Sequence, residues 1–393
     1  MIYFDNGATT FPKPPSVINA VGSAMRNAGA NPGRGGHKLS LKASELIYNG
    51  RVTAAKLFGA ESPENIIFTD NCTTALNTVI HGLLRGGGHA VISSLEHNAV
   101  ARPLTHLKKY GVSFSVAEVF EGDDERTLNS FRNSIRSDTK LAVCTAASNV
   151  FGIRLPVDRI AALCRIYNIP FCVDAAQTAG VVPVNMIESG IDFLCAAGHK
   201  GLYGPMGTGI LAVNSKILPD SLTQGGTGSL SAELEQPEAL PDRYESGTPN
   251  LPGIAGLNAG MRFVAARGEQ RILKYELEKA QRLYDRLSDN PAVELYTARP
   301  EENHHVPVIS FNLRGMDSES VARLLDERFG IAVRAGLHCA PLAHRAFGTE
   351  SGGTVRAVMS VYTKQYEIDY FSESVNKITK NSKLLNKKVA IDR

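Results

Sequence analysis

The sequence contains no tryptophan, and aromatic residues make up only 7% of its 393 positions. Set beside 36 glycines, above the usual share of about 7%, this scarcity predicts many tight turns and close backbone approaches. Its six cysteines (Cys72, Cys144, Cys164, Cys172, Cys195, Cys339) include no C-x-x-C pair, which excludes a zinc ribbon and a disulfide framework. No metal site is expected. No run approaches the 18 or so apolar residues of a membrane span. The start, MIYFDNGATTFPKP, lacks the basic-then-apolar layout of a signal peptide. Charge of one sign is also missing: 42 basic and 39 acidic side chains leave a net +3, with no long block that would form a nucleic-acid stripe. The expectation is a cytoplasmic protein that binds neither membrane nor nucleic acid. The only basic concentration, Lys377, Lys380, Lys383, Lys387 and Lys388, reads as a solvated C-terminal helix end that frays.

What is present is globular. With 43% hydrophobic and 21% charged residues, collagen-like and disordered classes are excluded. Length alone suggests roughly two to three domains. Helical periodicity marks SVINAVGSAMRNAG, LSLKASELIYNGRVTAAKLFGA and TTALNTVIHGLLRG. From HAVISS onward, the short apolar runs FSVAEVF, LAVCTAAS, FCVDAAQ, DFLCAAG and TGILAV alternate with helix-length segments. That rhythm predicts parallel β-α-β units with ligands at the carboxyl ends of the strands. A helical pattern from Gly253 to about Asp289, broken near Gly268, reads as a connector into a smaller α/β layer. The expected division is an N-terminal segment 1–15 contributing to the active site and the small domain, a large cofactor domain 16–260 and a small domain 261–393.

Five segments carry chemistry. GHKGLYGPMGTG places Lys200 at the end of an apolar strand, where a desolvated amine becomes a nucleophile for carbonyls. FCVDAAQ places Asp174 at the end of another, and a buried carboxylate needs a cationic partner. A protonated pyridine nitrogen is such a partner, so the pair favours pyridoxal 5'-phosphate (PLP). FTDNCTTALN runs into a helix at Asn71, Cys72 and Thr73, offering N–H groups and a positive helix end to a phosphate, or an ordinary helix cap by Thr73 or Thr74. LEHNAV sets His97 just after a strand, where an imidazole either stacks on a planar cofactor or serves the structure. Cys339 stands apart from the other cysteines, between an Arg-Ala-Gly turn, a His and a Pro.

These segments resemble the class V aminotransferase family of PLP enzymes, and within it the SUF-type (group II) cysteine desulfurases and selenocysteine lyases. YFDNGATTFPKP, NPGRGGHKLS, NCTTALN, LEHNAV, SNVFG, VDAAQ, GHKGLYGPMGTG, ESGTPN and RAGLHCAPL follow the family's order from residue 3 to about 367. The resemblance implies an aspartate aminotransferase-like α/β fold (PLP fold type I), with a large, mainly parallel-sheet domain and a smaller C-terminal one. It implies that Lys200 anchors the cofactor covalently, Asp174 pairs with its pyridine nitrogen, Gln177 bonds the ring hydroxyl, Asn149 also contacts the cofactor, and His97 stacks on the ring and acts in catalysis as a proton relay. Cys72, Thr73 and His199 would hold the phosphate, aided by Thr248 from the second subunit of a homodimer. Asn149, Arg334, Ala8 and Arg356 would bind substrate, Arg356 gripping its carboxylate with a bidentate fork. Cys339 would take the sulfur of L-cysteine as a persulfide, releasing L-alanine and later passing the sulfur to an acceptor protein; Arg334 or His338 would favour its thiolate.

The chain departs from the family at Ala197 (usually serine), Gly7 (alanine) and Leu337 (histidine), and its 344–354 segment is slightly longer. Selenocysteine lyase, another class V lyase or aminotransferase, and a non-catalytic sulfur-relay or docking protein are the alternatives. A nicotinamide-dependent dehydrogenase is disfavoured, because no G-x-G-x-x-G follows the first strand.

Overall fold

The computed structural model describes residues 1–33 and 36–391, the stretch 381–391 as helix backbone only. Arg34 and Gly35 of NPGRGGHKLS, and the side chains of Lys383, Lys387 and Lys388, lie outside the described residues. In chain order the elements are β1 (Ile2–Tyr3), α1 (Pro15–Asn27), α2 (Lys38–Phe58), β2 (Ile66–Thr69), α3 (Cys72–Leu84), β3 (Gly88–Ser93), α4 (Asn98–Leu107), β4 (Val112–Ala117), α5 (Asp124–Ser134), β5 (Thr139–Thr145), α6 (Val157–Ile166), β6 (Phe171–Asp174), α7 (Met186–Ser189), β7 (Phe193–Ala197) and β8 (Gly209–Val213). There follow α8 (Leu251–Arg267), α9 (Glu269–Ser288), β9 (Val293–Leu295), β10 (Val308–Leu313), α10 (Ser318–Phe329), β11 (Ile331–Ala332), α11 (Pro341–Ala346), β12 (Val355–Val358) and α12 (Gln365–Ile391).

Contacts divide the chain into two units: residues 12–147 with 155–270, and residues 1–11 with 148–154 and 271–393. The division falls in the first turn of α9. The boundary expected near residue 260 would cut α8, whose continuous helix carries buried Leu257, Gly260, Met261 and Val264 in one stripe. Sequence reading also left 148–154 in the large domain, whereas its contacts are with the smaller unit.

The larger unit is built on a seven-stranded sheet in the order β2-β8-β7-β6-β5-β3-β4. Strands β7, β6, β5, β3 and β4 pair in parallel. Their runs FCVD and FLCAA are buried at every position, as expected of strands covered on both faces. β8 is antiparallel to both of its neighbours, which corrects the reading of TGILAV as one more parallel strand. A parallel return needs a crossover of a dozen or more residues, usually a helix, and residues 198–208 contain none. Helix ends follow local chemistry: Asn71 caps α3 by accepting from Thr74 N, and α2 stops at Gly59 in the left-handed conformation.

The smaller unit has a three-stranded antiparallel sheet, β12-β10-β9, and a two-stranded parallel pair of β1 with β11. Its core gathers Phe4, Phe311, Phe371, Leu283, Leu325 and Val355, with Phe4 edge-on to Phe371 at 5.0 Å.

Candidate active site

In the larger unit, the candidate residues collect at the carboxyl ends of the parallel strands. Asp174 ends β6 and is 3% exposed. Its Oδ1 accepts from Ala176 N at 2.9 Å and from the Cys72 thiol at 3.5 Å. Burial and the Asp174 charge push the Cys72 thiol well above its ordinary range, so it stays a donor. Lys200 lies half-buried in the turn after β7, closed by Gly198 N to Thr208 O at 2.9 Å and Tyr203 N to Lys200 O at 2.8 Å. A glycine is required at 201: a Cβ there would come within 2.4 Å of the Ala179 carbonyl.

Cys72 and Thr73 open α3, and the Asn71 cap takes the N–H and the hydroxyl of Thr74. The first two N–H groups of the helix therefore face outward with its positive end, a suitable cradle for an anion. The cap is Asn71 rather than Thr73 or Thr74. His97 is the N-cap of α4, its Nδ1 accepting from Ala99 N at 3.0 Å. His199 follows β7; burial and the neighbouring Lys200 and Lys13 charges lower it to about 4, so its ring is neutral near pH 7. Gln177 lies half-buried in the turn after β6, and Thr248 is exposed, lining a cavity of about 250 Å3 with Asp70, Thr74 and Ser246.

Two residues of this unit escaped sequence reading. Lys13 donates to the His199 carbonyl at 2.7 Å, and burial lowers it to about 8. Its signal was the PKP sequence, a charge held between two rigid residues. Glu96 is completely buried one position before His97. Its Oε1 accepts from Thr145 N at 2.8 Å and from the Ser93 hydroxyl, and burial raises it to about 8.

The smaller unit holds the other candidates. Arg356, on β12, is 1% exposed. Its Nη1 donates to the Asn149 carbonyl at 2.6 Å and its Nη2 to Asp5 Oδ1 at 3.1 Å, while Nε is buried without a hydrogen bond. Asp5, in the DNGAT motif, is the counter-charge that sequence reading overlooked. Gly7 makes room for this guanidinium: a Cβ at that position would lie 3.1 Å from Arg356 Cζ and 2.9 Å from Val358 Cγ2. Arg334 pairs with Arg356 through backbone bonds in both directions, and Ala8 N bonds to Asp5 O at 3.1 Å. Asn149 Oδ1 is buried with no partner, an acceptor awaiting a donor.

Cys339 is exposed, whereas the other five cysteines are buried. The expectation that His338 supplies positive charge to it is corrected. The His338 ring is buried, and burial together with Arg356 lowers it to about 2, so it is neutral. Leu337 is exposed, and Ala197 is buried at the end of β7.

The sequence matches the class V aminotransferases over residues 2–371. The chain belongs to the class V aminotransferase family. Its two-unit α/β architecture is the PLP fold type I of that family, with the large, mainly parallel sheet and the smaller C-terminal unit. A probable cysteine desulfurase of Methanothermobacter thermautotrophicus is 33% identical over 387 residues, 96% of this chain and 94% of the relative. A probable cysteine desulfurase of Mycolicibacterium paratuberculosis is 34% identical over 387 residues, 96% of this chain; the chain spans only 55% of that longer relative. Among solved structures, the apo cysteine desulfurase of Thermococcus onnurineus NA1 superposes with a TM-score of 0.89 at 32% identity, covering 97% of this chain and 95% of that one.

The residues present fit PLP. The Asp174 carboxylate is buried at the end of β6, the start of α3 is an anion cradle, and a lysine follows the neighbouring strand. Among the described residues, no helix is long and apolar enough to cross a membrane.

Proposed function

We propose that this class V aminotransferase is a PLP-dependent cysteine desulfurase, converting L-cysteine to L-alanine and keeping the sulfur on Cys339. The observation that carries the reading is the contrast among the cysteines: five buried, one exposed on a segment bonded through Arg334 to the strand of Arg356. Bound to Lys200, the cofactor would supply an electron sink for bond changes at the substrate's α and β carbons. The Asp174 carboxylate would pair with the pyridine nitrogen, the N–H groups of Cys72 and Thr73 with His199 would hold the phosphate, Gln177 would bond the ring hydroxyl and His97 would stack on the ring. Arg356 takes the substrate carboxylate, with Asn149, Arg334 and Ala8 lining that place. The Lys200 amine would serve as the base that takes the substrate's α-proton. The Cys339 thiolate attacks the substrate sulfur, the carbon–sulfur bond breaks, and the remainder leaves as alanine after reprotonation.

The working form is a homodimer in which Thr248 of each subunit completes the other's phosphate site, and an acceptor protein draws the sulfur from Cys339. Six free thiols suit a reducing compartment, the cytoplasm. The same residues would accept L-selenocysteine, whose selenium leaves more readily.

Purified protein should absorb as a PLP enzyme, and borohydride reduction should fix the cofactor to Lys200 by mass mapping. Cys339→Ala should keep that spectrum while losing sulfide release from cysteine. A colourless protein, an adduct on another lysine, or unchanged turnover of the variant overturns the reading. Selenide release surviving in Cys339→Ala, with sulfide release lost, would mark a selenocysteine lyase activity beside the desulfurase.

A further inference from the structure

Cys339 is presented by an unusual stretch of backbone. Gly336, His338 and Cys339 all have positive φ, at 93°, 47° and 58°. For His338 and Cys339 this is the left-handed region that side chains disfavour, and it persists only where surrounding structure imposes it. Gly353 lies so close that a Cβ on it would come within 2.4 Å of Gly336 C and O. Thr354 N donates to the Gly336 carbonyl at 3.1 Å.

The rest of the constraint converges on His338. Its Nε2–H donates to the Thr354 carbonyl at 2.9 Å, and its ring stacks on His344 with centroids 5.7 Å apart and planes at 26°. Its own carbonyl, in the peptide that leads into Cys339, accepts from Asn149 Nδ2 at 2.8 Å. Asn149 in turn holds the Arg356 guanidinium through its carbonyl at 2.6 Å. One asparagine therefore touches both the arginine and the peptide entering the cysteine.

We propose that Asn149 and His338 are positioning residues for Cys339: they lock the left-handed turn that presents its thiol and tie that turn to Arg356. The proposal rests on the reading of Cys339 as the sulfur-accepting nucleophile. His338 acts through geometry and not through charge, because its ring is neutral and directed at Thr354.

The test uses the holoenzyme and three substitutions at one position. Gln places its Nε2 where the imidazole Nε2 stands, Asn is too short to reach Thr354, and Ala removes the donor. His338→Ala and His338→Asn should speed amide hydrogen exchange across 336–340 by about tenfold or more, and lower kcat by a similar factor while KM for cysteine changes little. His338→Gln should restore most of both. Asn149→Ser, which keeps the backbone carbonyl for Arg356, should raise exchange in the same segment, so the proposal does not depend on one variant folding. Retention of the cofactor spectrum identifies the folded variants. Wild-type exchange in His338→Ala and Asn149→Ser, or equal behaviour of His338→Asn and His338→Gln, overturns the clamp. Failure of the functional reading has a different signature: Cys339→Ala would keep its turnover while the exchange differences at 336–340 remained.

Discussion

A single buried carboxyl tests how the site is supported at the residue scale. Glu96 bridges the ends of β3 and β5 through the Ser93 hydroxyl and Thr145 N–H, next to the residue that caps α4. Burial, aided by the nearby Asp174 charge, raises it from 4.5 to about 8, against the pull of its hydrogen bonds. In the folded protein it is therefore protonated at neutral pH, whereas in the unfolded chain it ionises near its ordinary value. The folded state binds the extra proton between these values, so its contribution to stability is full below pH 4.5 and is lost as pH rises through about 8. The slope is at most about 1.4 kcal/mol per pH unit for one proton. Glu96→Gln keeps an acceptor for both donors and should flatten this part of the stability curve between pH 5 and 8 in urea titrations. The same slope in the variant would show that Glu96 does not hold the proton. Glu96 was not legible as a buried group, because a polar residue between a strand and His97 reads as a surface link. Asp174 and Lys200 were legible, since each ends an apolar run. The direction of His338 was hidden for a different reason: positive φ at 338 and 339 turns the ring inward, and nothing in RAGLHCAPL encodes that turn except Gly336.

At the scale of elements, the segment between β8 and α8 has little regular structure, and one ion pair ties it down. Arg51 of α2 pairs through both terminal nitrogens with Glu245, while Glu245 Oε1 also accepts from Phe68 N on β2 at 2.6 Å. The side chains are 9% and 15% exposed. Removing one partner strands a buried charge, a loss of about 3–5 kcal/mol, whereas replacing both by apolar groups is often neutral. Arg51→Ala should thus lower thermal stability strongly and open residues 215–250 to limited proteolysis. Arg51→Met with Glu245→Gln, which removes both charges and keeps an acceptor for Phe68 N, should recover most of the stability. Equal loss in the single and double variants would contradict this account. Most elements were readable from periodicity, including the break between α8 and α9 at Gly268. The reversal of β8 was also present in the sequence, as a connection of three glycines and one proline with no helical pattern between GHK and TGILAV. What could not be read were associations between distant segments, such as 148–154 joining the smaller unit, because no local pattern records them.

At the scale of the whole molecule, the larger unit leaves apolar side chains uncovered in a regular way. Ile18 and Met25, two turns apart on α1, are 63% and 66% exposed, and Leu41 and Tyr48, two turns apart on α2, are 63% and 50% exposed. Other faces of the same helices are spent on the core, through Val17 and Ala24 on α1 and Ala43, Ile47 and Ala54 on α2. Helices with a second apolar stripe facing water mark an association surface. A second copy of the chain is the simplest partner, because a two-fold axis lets one stripe cover its equivalent. Light scattering should then give about 85 kDa, twice the 42.3 kDa chain. Ile18→Glu with Leu41→Glu should reduce it to a monomer that keeps its circular dichroism. Because Thr248 is proposed to complete the phosphate site of the other subunit, that monomer should also release PLP on dialysis faster than the dimer. A monomeric wild type would remove the basis for a shared site, and a monomeric variant that retains PLP as well as the dimer would show that each subunit completes its own.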